Sequence, residues 1–518
     1  MAESIHENCG IAAVSLKDTP ENRQKALFYL YRMLLSLQNR GQLAAGITTY
    51  NAARDQLLDT HKSIGQVNEV FRTSNRDESL KLFKRYSGSA GIGHVRYATC
   101  GPNEKRYAMP FERHHGRKWK WFAFAFNGNI ANYKELKNKL LEKTDYHITL
   151  EGDTEIVMHY LSRELFGKKR PDFKKVFGNL AKKFDGSYNI VFIDAFGTVV
   201  AVRDPLGFRP LMYAIRNGDL FVASESNALL NLGIEDFKNV PPGTMIIKEN
   251  GKIRLERYAP SPRRAHCMFE YVYFANVSSV LDDTSVYLTR TALGQELAKM
   301  ETEKIDSNTV VIPVPDTAKA AGDAYAYGLG LPAMEGLIRN RYLGRTFIEG
   351  ADRIDKVRNK YTVLRNIVEG KKVMLVDDSI VRGTTTKQLI SYIKKVGRAK
   401  EVHVRVSCPP IRAPCFYGID MSTIKELLVP RFERDYDGKR ISEETCRKIA
   451  KEIGADSLKF QTVEGLIKAI SKPKENLCMA CINTRYPTSY GKKLFQKAKE
   501  HVKQSMKNSR TYESEEKV

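Results

Sequence analysis

The sequence has 518 residues, 42% of them hydrophobic and 28% charged, and its 84 lysines and arginines exceed its 60 aspartates and glutamates by 24. This composition supplies the cores of two large domains or about three smaller ones, and it excludes a disordered, collagen-like or mucin-like chain. No apolar run approaches the ~20 residues that span a bilayer, and the first residues do not have the pattern of a secretory signal. We therefore expect a cytoplasmic protein without a membrane partner. The positive charge indicates an anionic partner, and nucleic acid is the first candidate to test.

The first ~240 residues predict a β-rich unit with some helix. Turn signals such as Asn127-Gly128-Asn129, Asp185-Gly186 and Asn217-Gly218 separate short apolar runs. These runs, which predict strands, are residues 10–14, 90–94, 121–126, 188–193, 199–202 and 220–223. Residues 24–37 and 153–165 have helical spacing, and Asp153 and Glu155 place negative charge in the first turn of the second helix.

From residue ~285 to ~470 the pattern changes to strands that alternate with helices. Residues 310–314, 372–376 and 402–406 predict three buried strands. This order predicts a parallel sheet with ligands at the carboxyl ends of its strands. A stretch rich in proline and arginine, from about residue 240 to 264, separates the two patterns and is typical of an inter-domain region. The last ~30 residues are net basic and predict a helix that frays into a polar tail.

Cys9 stands directly before the first predicted strand, and it is the first residue of a series of motifs. The motifs that follow in order are QNRGQ at 38–42, GHVRYAT at 93–99, FNGN at 126–129, GDTE at 152–155, RDPLG at 203–207 and ASE at 223–225. A single cysteine before a strand is usually a small core residue. The whole series, however, resembles the class II glutamine amidotransferases over roughly residues 9–230.

That resemblance implies an N-terminal-nucleophile domain that hydrolyses glutamine to glutamate and ammonia. Cys9 would be the nucleophile, and removal of residues 1–8 would free its α-amino group, with an unperturbed pKa near ~8, as the base. Asn127 and the backbone N–H of Gly128 would stabilise the oxyanion. The glutamine-binding residues implied are Arg40, Arg96 and Asp153, with Arg96 pairing the α-carboxylate and Asp153 the α-ammonium group.

The chain departs from the usual family motifs at several positions. The residues concerned are Asn39, Leu43, Ala44, Met109 and Gly152, and a basic-aromatic insertion occupies 112–121. None of these departures removes one of the named catalytic groups.

A second constellation lies at residues 373–385, where VMLVDDSIVRGTT joins a hydrophobic strand to two acids and then to a loop that opens a helix. The helix N-terminus attracts phosphate, and Asp377 and Asp378 suit ribose hydroxyls and Mg²⁺. This segment resembles the phosphoribosyltransferase fingerprint, and no P-loop motif competes with it. The donors expected around the 5-phosphate are Ser379, Arg382, Gly383, Thr384 and Thr385.

Two further segments resemble other parts of a phosphoribosyltransferase site. VPDT at 314–317 resembles the pyrophosphate loop, with Asp316 at the substrate and Thr317 near the metal. RNRYLGRTF at 339–347 resembles the flexible lid. Arg339, Arg341 and Arg345 of this segment, together with Lys360, would clamp the leaving pyrophosphate, and lid closure would exclude water.

Four cysteines form a third candidate constellation: Cys267, Cys415, and the Cys478–Cys481 pair of a CxxC motif. Four thiolates suit either tetrahedral Zn²⁺ or an iron–sulfur cluster, and their spacing does not distinguish the two. Cys100, Cys408 and Cys446 are interpreted as ordinary buried or surface residues.

Both domains in this order, together with the segments CMFEYVYFA and PCFYGIDM, resemble the amidophosphoribosyltransferases over nearly the whole chain. The resemblance implies that glutamine, 5-phosphoribosyl 1-pyrophosphate (PRPP) and water give 5-phosphoribosylamine, pyrophosphate and glutamate, the first step of purine biosynthesis. It implies Mg²⁺, a structural [4Fe–4S] cluster at the four cysteines, inhibition by purine nucleotides and a homo-oligomer, often a tetramer. Ammonia would pass between the sites along a channel that Tyr271 and Tyr273 could line.

The fold class expected is therefore mixed α/β and α+β: an αββα sandwich followed by a type I phosphoribosyltransferase domain with a parallel sheet. The expected divisions are a propeptide at 1–8, the glutamine domain at 9–240, an inter-domain segment at 241–284, the phosphoribosyltransferase domain at 285–490 and a basic tail at 491–518. Part of the positive charge is then assigned to PRPP, and nucleic acid becomes an improbable partner.

Two other functions compete with this interpretation. A different class II amidotransferase is disfavoured because the chain carries the DDSIVRGTT loop. A non-catalytic regulator that senses PRPP is disfavoured because the set of Cys9, Arg96, Asn127 and Asp153 is intact, which a regulator does not need.

Overall fold

The computed structural model describes residues 9–97, 104–142, 145–150, 152–340, 360–419, 421, 423–433 and 441–503. Within these ranges no helix combines the length and the apolar character that a membrane crossing requires.

The N-terminal half is built on two antiparallel sheets that pack face to face. The first has the strand order β11-β9-β10-β1-β4-β2-β3 and the second β13-β12-β8-β7-β6-β5. The strands are β1 (Gly10–Ser15), β2 (Ala44–Tyr50), β3 (Leu58–Ile64), β4 (Ala90–Arg96), β5 (Phe111–Arg113), β6 (Phe122–Ile130), β7 (Gly186–Asp194), β8 (Val199–Arg203), β9 (Met212–Arg216), β10 (Asp219–Ala223), β11 (Lys238–Asn239), β12 (Thr244–Glu249) and β13 (Lys252–Arg257).

Helices cover the outer face of each sheet, which gives the αββα order predicted. The helices of this half are α1 (Ala26–Ser36), α2 (Val67–Val70), α3 (Arg76–Arg85), α4 (Tyr133–Leu141), α5 (Asp153–Glu164), α6 (Phe173–Ala181) and α7 (Asn227–Leu230). Strand β1 shows how the layers form, because successive side chains of a strand point to opposite faces. Ala12 and Val14 join the core under α1, whereas Ile11 and Ala13 join the core between the sheets, which α4, α5 and α6 close from the far side.

The C-terminal half contains a parallel sheet with the strand order β17-β20-β21-β22. Its strands are β17 (Thr309–Pro313), β20 (Lys372–Asp377), β21 (Glu401–Val406) and β22 (Ser457–Phe460). The packed helices are α8 (Val286–Lys299), α9 (Lys319–Gly328), α10 (Arg365–Val368), α11 (Thr384–Lys395), α12 (Glu443–Ile453) and α13 (Val463–Ile470). The three strands predicted in this half are therefore present within one residue of their expected ends.

Short strand pairs and two helices complete the chain. The pairs are β14 (His266–Cys267) with β23 (Leu477–Cys478), β15 (Val280–Leu281) with β16 (Thr284–Ser285), and β18 (Leu337–Arg339) with β19 (Tyr361–Val363). Between β14 and β15, Glu270–Phe274 form one π-helical turn. The final helices are α14 (Ala480–Asn483) and α15 (Ser489–Lys503).

Three sequence expectations change. Strands β12 and β13, which lie in the predicted inter-domain segment, pair with β8 and each other, so the first unit's sheet extends past residue 240 to Arg257. Asn127, Gly128 and Asn129 do not form the predicted turn but continue β6. The basic C-terminal segment forms α15, as expected, but Leu494 and Ala498 are buried, so this helix packs against the protein instead of lying free.

Candidate functional site

The backbone just after Cys9 and the side chain of Asn127 both contact the hydroxyl of Ser224. Cys9 immediately precedes β1, which lies between β10 and β4. The backbone N–H of Ile11 donates to Ser224 Oγ at 2.9 Å, and Asn127 Nδ2 lies 3.5 Å from the same oxygen. Ser224, which belongs to the ASE motif, thus joins the nucleophile strand of one sheet to the predicted oxyanion residue of the other.

Gly128 lies where β7 leaves no room for a side chain on β6. It pairs with Tyr188 across the strands, and a Cβ atom at this position would lie 2.0 Å from the carbonyl oxygen of Ser187. Only glycine lets the two strands pair here, which explains why a sequence that is typical of a turn instead forms an extended strand. The Asn127–Gly128 backbone is consequently held at the end of a regular ladder.

Asp153 reaches the same strand end from the first residue of α5. Its Oδ2 accepts a hydrogen bond from the backbone N–H of Ile130 at 2.9 Å. Burial raises the pKa of this carboxyl to about 6, and backbone hydrogen bonds from Ile130 and from its own helix terminus oppose the rise. A carboxylate in this position could pair with a bound ammonium group, because a nearby positive charge favours the ionised form of the carboxyl.

Arg96 is the last residue of β4, the strand next to β1. Its side chain is buried, and its guanidinium carbon lies 5.5 Å from the centre of the Tyr107 ring. The N–H of Leu43 donates to the Arg96 carbonyl at 3.0 Å, which places the end of the QNRGQ segment against this residue. Arg96 therefore lies on the strand that pairs with β1, whereas Asn127 and Ile130, the hydrogen-bond partner of Asp153, lie at the end of β6.

Arg40, predicted to bind glutamine, is a fully buried ion-pair partner in the structure. Its Nε pairs with Glu225, and its Nη2 lies 2.5 Å from Glu270 Oε2. Burial alone would lower the pKa of this guanidinium, but the two carboxylates raise it above its usual value. Arg209 also pairs with Glu270, at 2.8 Å. The sequence analysis included Glu225 in a motif but assigned no role to Glu270. In the structure, the ion pairs of Glu270 connect the π-helical turn to the first unit.

The candidate PRPP site lies at the carboxyl end of β20. Thr317 donates a hydrogen bond to Asp378 from the loop after β17, and Ser379 Oγ donates to the other oxygen at 2.5 Å. The backbone N–H of Asp378 donates to Asp377 Oδ1 at 2.9 Å. Burial raises the pKa of both carboxyls, and the neighbouring Asp378 adds to the rise for Asp377. The structure thus unites Thr317, Asp377 and Asp378 as the sequence predicted.

The loop from Ser379 leads directly to the N-terminus of α11. Gly383 precedes the helix with φ of +81°, in the left-handed region that favours glycine. The first turn of this helix begins with Thr384 and Thr385, and the start of a helix attracts anions. Arg382 Nη2 lies 3.5 Å from Glu426 Oε1.

Other predicted PRPP residues flank this loop. Asp316 pairs with Arg339 at 2.7 Å, and Lys360 Nζ lies 5.2 Å from the centre of the Tyr361 ring. Arg341 and Arg345, the remaining predicted clamp residues, lie outside the described residues.

The π-helical turn lies between the two candidate sites. Arg290 of α8 holds it by donating to the carbonyls of Tyr271, Tyr273 and Ala275 at 2.8–3.0 Å. Burial raises the pKa of the Tyr273 phenol, and so do the charges of Asp378, Tyr361, Tyr97 and Asp377. Tyr273 is therefore near the acidic pair of one site and near Tyr97, which follows Arg96 of the other.

The four predicted cysteine ligands converge where β14, β23 and α14 meet. Cys267 and Cys478 are cross-strand partners, and the N–H groups of Arg412 and Ala413 donate to the Cys481 carbonyl at 2.8 and 3.1 Å. Burial raises the pKa of the Cys478 and Cys481 thiols, and the nearby Cys267 and Cys415 raise them further. Cys408 is buried, as expected, and adjoins this group, whereas Cys100 lies outside the described residues.

The residue types of both donor sets match the groups expected, but the four described thiols are not arranged as ligands of one metal ion. Oxygen donors from two acids and a threonine are those that Mg²⁺ prefers, and four convergent thiols suit a thiolate-ligated centre. Within the ranges given above, no group of three or more histidine, cysteine or acidic side chains is arranged to hold a metal ion.

Comparison with known proteins gives a consistent picture. A family model described as a glutamine amidotransferase domain matches residues 105–231. The chain is 38% identical to an amidophosphoribosyltransferase of Methanothermobacter thermautotrophicus, with 93% of this chain and 95% of the relative covered. It is 39% identical to that of Archaeoglobus fulgidus, with 89% and 94% covered, and 35% identical to that of Bacillus subtilis, with 94% and 95% covered.

Two solved structures are similar over nearly their whole length. One is the glutamine PRPP amidotransferase from B. subtilis complexed with ADP and GMP, with a TM-score of 0.79, 33% identity, and coverage of 93% of this chain and 98% of that one. The other is described as the allosteric regulatory enzyme of purine biosynthesis, with a TM-score of 0.80, 34% identity, and coverage of 93% and 97%.

Proposed function

This chain belongs to the amidophosphoribosyltransferase family, and on that premise we propose how its residues transfer the amide nitrogen of glutamine to PRPP in the first step of purine biosynthesis. The observation that carries the assignment of residues is the pairing of Thr317 with Asp378, because it builds a ribose and phosphate site ahead of α11. The same chain positions a glutamine site around β1. One unit therefore makes ammonia and the other consumes it.

Glutamine hydrolysis starts at Cys9. Its sulfur attacks the amide carbon while its thiol proton passes to the α-amino group that is freed when residues 1–8 are removed. The carbonyl oxygen becomes an oxyanion that accepts hydrogen bonds from Asn127 Nδ2 and the Gly128 N–H. The C–N bond breaks, ammonia leaves with the transferred proton, and water hydrolyses the thioester to glutamate.

Arg96 and Asp153 orient glutamine by its charged end. The guanidinium of Arg96 offers two parallel N–H donors to the α-carboxylate, and Asp153 accepts from the α-ammonium group. Arg40 has both edges of its guanidinium engaged by Glu225 and Glu270. A glutamine contact by Arg40 stays a prediction, and its ion pairs support a structural role at the junction.

PRPP binds along the carboxyl edge of the parallel sheet. The loop from Ser379 to Thr385 receives the 5-phosphate at the N-terminus of α11, and Asp377 and Asp378 accept hydrogen bonds from the ribose hydroxyls. Thr317 with this acidic pair would hold Mg²⁺, which when bound offsets the charge of the departing pyrophosphate. Asp316, Lys360, Arg339 and Arg345 are the further pyrophosphate-side residues.

Ammonia attacks the ribose carbon from which pyrophosphate leaves. The route from Cys9 passes the π-helical turn, where Tyr271 and Tyr273 are proposed to line the channel. Tyr273 supports this because its phenol interacts with Asp377 and Asp378 of the PRPP site and with Tyr97, the neighbour of Arg96. A sheltered route would keep ammonia unprotonated and away from solvent.

The four cysteines are proposed to hold a structural [4Fe–4S] cluster, with Zn²⁺ as the alternative. The support is their convergence in one buried region from three separated segments. Anaerobically purified protein should be brown, absorb near ~400 nm and contain iron and sulfide. Colourless protein with stoichiometric zinc would overturn the cluster assignment.

Regulation is proposed from the similar structures. Because the B. subtilis enzyme is complexed with ADP and GMP, purine nucleotides are proposed as inhibitors of this chain. A homo-oligomer, a tetramer by family resemblance, is proposed as its assembly.

Two variants test the division of labour. Asp378→Ala should abolish synthesis of phosphoribosylamine but retain basal glutaminase activity, whereas Cys9→Ala should abolish glutamine use and retain synthesis from ammonia. Equal loss of both activities in Asp378→Ala would show that the two sites are misassigned. An active enzyme whose intact mass retains residues 1–8 would contradict the N-terminal-nucleophile mechanism.

A further inference from the structure

A turn of the second domain touches the strand that carries the candidate oxyanion residues. Asn129 Nδ2 donates to the carbonyl oxygen of Phe416 at 2.9 Å. Gly418 packs so closely that a Cβ atom there would lie 3.2 Å from the carbonyl carbon of Gly128 and 3.4 Å from the Asn129 nitrogen. The contact therefore reaches the backbone of Gly128 itself.

The turn is fixed by contacts of its own. The Tyr417 ring stacks on Phe208 with 4.3 Å between centroids and 24° between planes. Arg209 Nη2 donates to the Tyr417 carbonyl at 3.2 Å, while its Nη1 pairs with Glu270. The Tyr417 N–H also lies 3.3 Å from Cys415 Sγ. None of these residues belongs to the set predicted to bind PRPP.

We propose that residues 415–418 are a positioning element that holds the Gly128–Asn129 backbone in register for oxyanion stabilisation. Oxyanion donors are effective only when their positions are fixed before charge develops. Glycine needs such support most, because its φ and ψ angles are less restricted than those of any other residue. The ladder to β7 fixes one side of this strand end, and the turn fixes the other. Glutamine hydrolysis therefore depends on the docked second domain, by a route separate from PRPP binding.

This inference rests on the proposed roles of Cys9, Asn127 and Gly128, and one pair of variants tests it. Gly418→Ala adds a methyl group against Gly128 at a residue with φ of +93°. Gly454→Ala is the matched control, because Gly454 has φ of +81° and no atom within 4 Å of the added methyl position. Both substitutions introduce alanine into the left-handed region of the second domain, so they differ in what the added methyl group meets: at Gly418 it meets Arg209 Nη2 at 3.1 Å as well as the backbone of Gly128 and Asn129.

In full-length enzyme, Gly418→Ala should lower the kcat for glutamine hydrolysis at least about tenfold relative to Gly454→Ala, with a smaller change in KM. For comparison, removing a whole oxyanion donor typically lowers kcat about 10²–10³-fold. Synthesis from ammonia should stay within about twofold of the control. The rate at which iodoacetamide alkylates Cys9 should be unchanged, since direct displacement at sulfur needs no oxyanion hole.

A kcat for Gly418→Ala within about twofold of Gly454→Ala would overturn the proposal, and so would a matching loss of Cys9 alkylation. If Gly418→Ala does not fold, Asn129→Ala decides, because it removes the hydrogen bond to Phe416 without adding an atom. A tenfold lower kcat is again expected, and an unchanged kcat contradicts the proposal. Absence of glutaminase activity in the unsubstituted enzyme would instead refute the proposed role of Cys9.

Discussion

The carboxylate of Asp153 accepts a hydrogen bond from the backbone amide of Ile130, with 2.9 Å between Oδ2 and the nitrogen. This contact joins the first turn of α5 to the end of β6, one residue beyond Asn129. It places a half-buried acid beside the strand end that carries the candidate oxyanion residues, and we expect it to give the glutamine site a measurable pH dependence.

Below pH 6 the kcat/KM for glutamine should lose a further factor of about ten per pH unit, beyond the loss already caused by protonation of the Cys9 α-amino group, whose unperturbed pKa is near ~8. Burial raises the pKa of Asp153 to about 6, so this carboxyl is neutral at lower pH and no longer pairs with the α-ammonium group of glutamine. Because kcat/KM reports ionisations of the free enzyme, a pH profile of glutaminase activity measures this effect. Asp153→Asn should lower kcat/KM throughout and remove the break near pH 6; an unchanged break would assign it to another group.

Asn127→Ala should lower the kcat of glutamine hydrolysis about 10²–10³-fold, the usual cost of losing one oxyanion donor. The substitution leaves Ser224 with its hydrogen bond from Ile11, so the strand after Cys9 should stay in place. Ammonia-dependent synthesis serves as the internal control. A rise in KM for glutamine with kcat unchanged would contradict an oxyanion role.

Thr317→Val should raise the KM for PRPP about tenfold or more, because a hydrogen bond to a charged acceptor contributes about 1.5–3 kcal/mol. Valine keeps the side-chain shape but removes the donor to Asp378. Steady-state kinetics with ammonia as nitrogen donor measures this effect without the glutamine site. An unchanged KM and kcat would mean that this hydrogen bond does not organise the PRPP site.

Arg40→Met should lower the thermal unfolding midpoint strongly, because it leaves Glu225 and Glu270 without their shared cation in a buried site. Breaking a buried pair costs about 3–5 kcal/mol. The comparison variant is Lys139→Met, which breaks an exposed pair with Glu135 on α4 and should leave the midpoint almost unchanged, because exposed ion pairs contribute little to stability. A small shift for Arg40→Met together with a raised KM for glutamine would instead support the glutamine-binding role predicted from the sequence.

Local sequence patterns predicted much of the two sites. The acidic pair Asp377–Asp378 and the helix after Gly383 form one continuous segment, so a strand, a loop and a helix could be recognised without tertiary information. The parallel sheet of the second half could be predicted for the same reason, since parallel strands that alternate with helices leave a distinct hydrophobic pattern. The αββα order of the first half was instead implied by the resemblance to class II glutamine amidotransferases.

The features that could not be predicted depend on contacts between residues that are far apart in the sequence. The triplet Asn127-Gly128-Asn129 has turn composition, but the approach of Ser187 makes it a strand. Glu270 looked like part of an apolar segment, and its partner Arg40 lies 230 residues away. The contact of Gly418 with Gly128 joins two domains, and no local pattern encodes it.

The most direct measurement of the central claim is the fate of the amide nitrogen. The enzyme is given PRPP and [amide-¹⁵N]glutamine in the presence of unlabelled ammonia at a concentration that supports little synthesis by itself, and the isotope content of the phosphoribosylamine is measured. The account predicts product labelled predominantly with ¹⁵N in the unsubstituted enzyme and only unlabelled product in Cys9→Ala. Glutaminase activity without transfer of ¹⁵N to the product, or dilution of the label to that of the ammonia in solution, would contradict it.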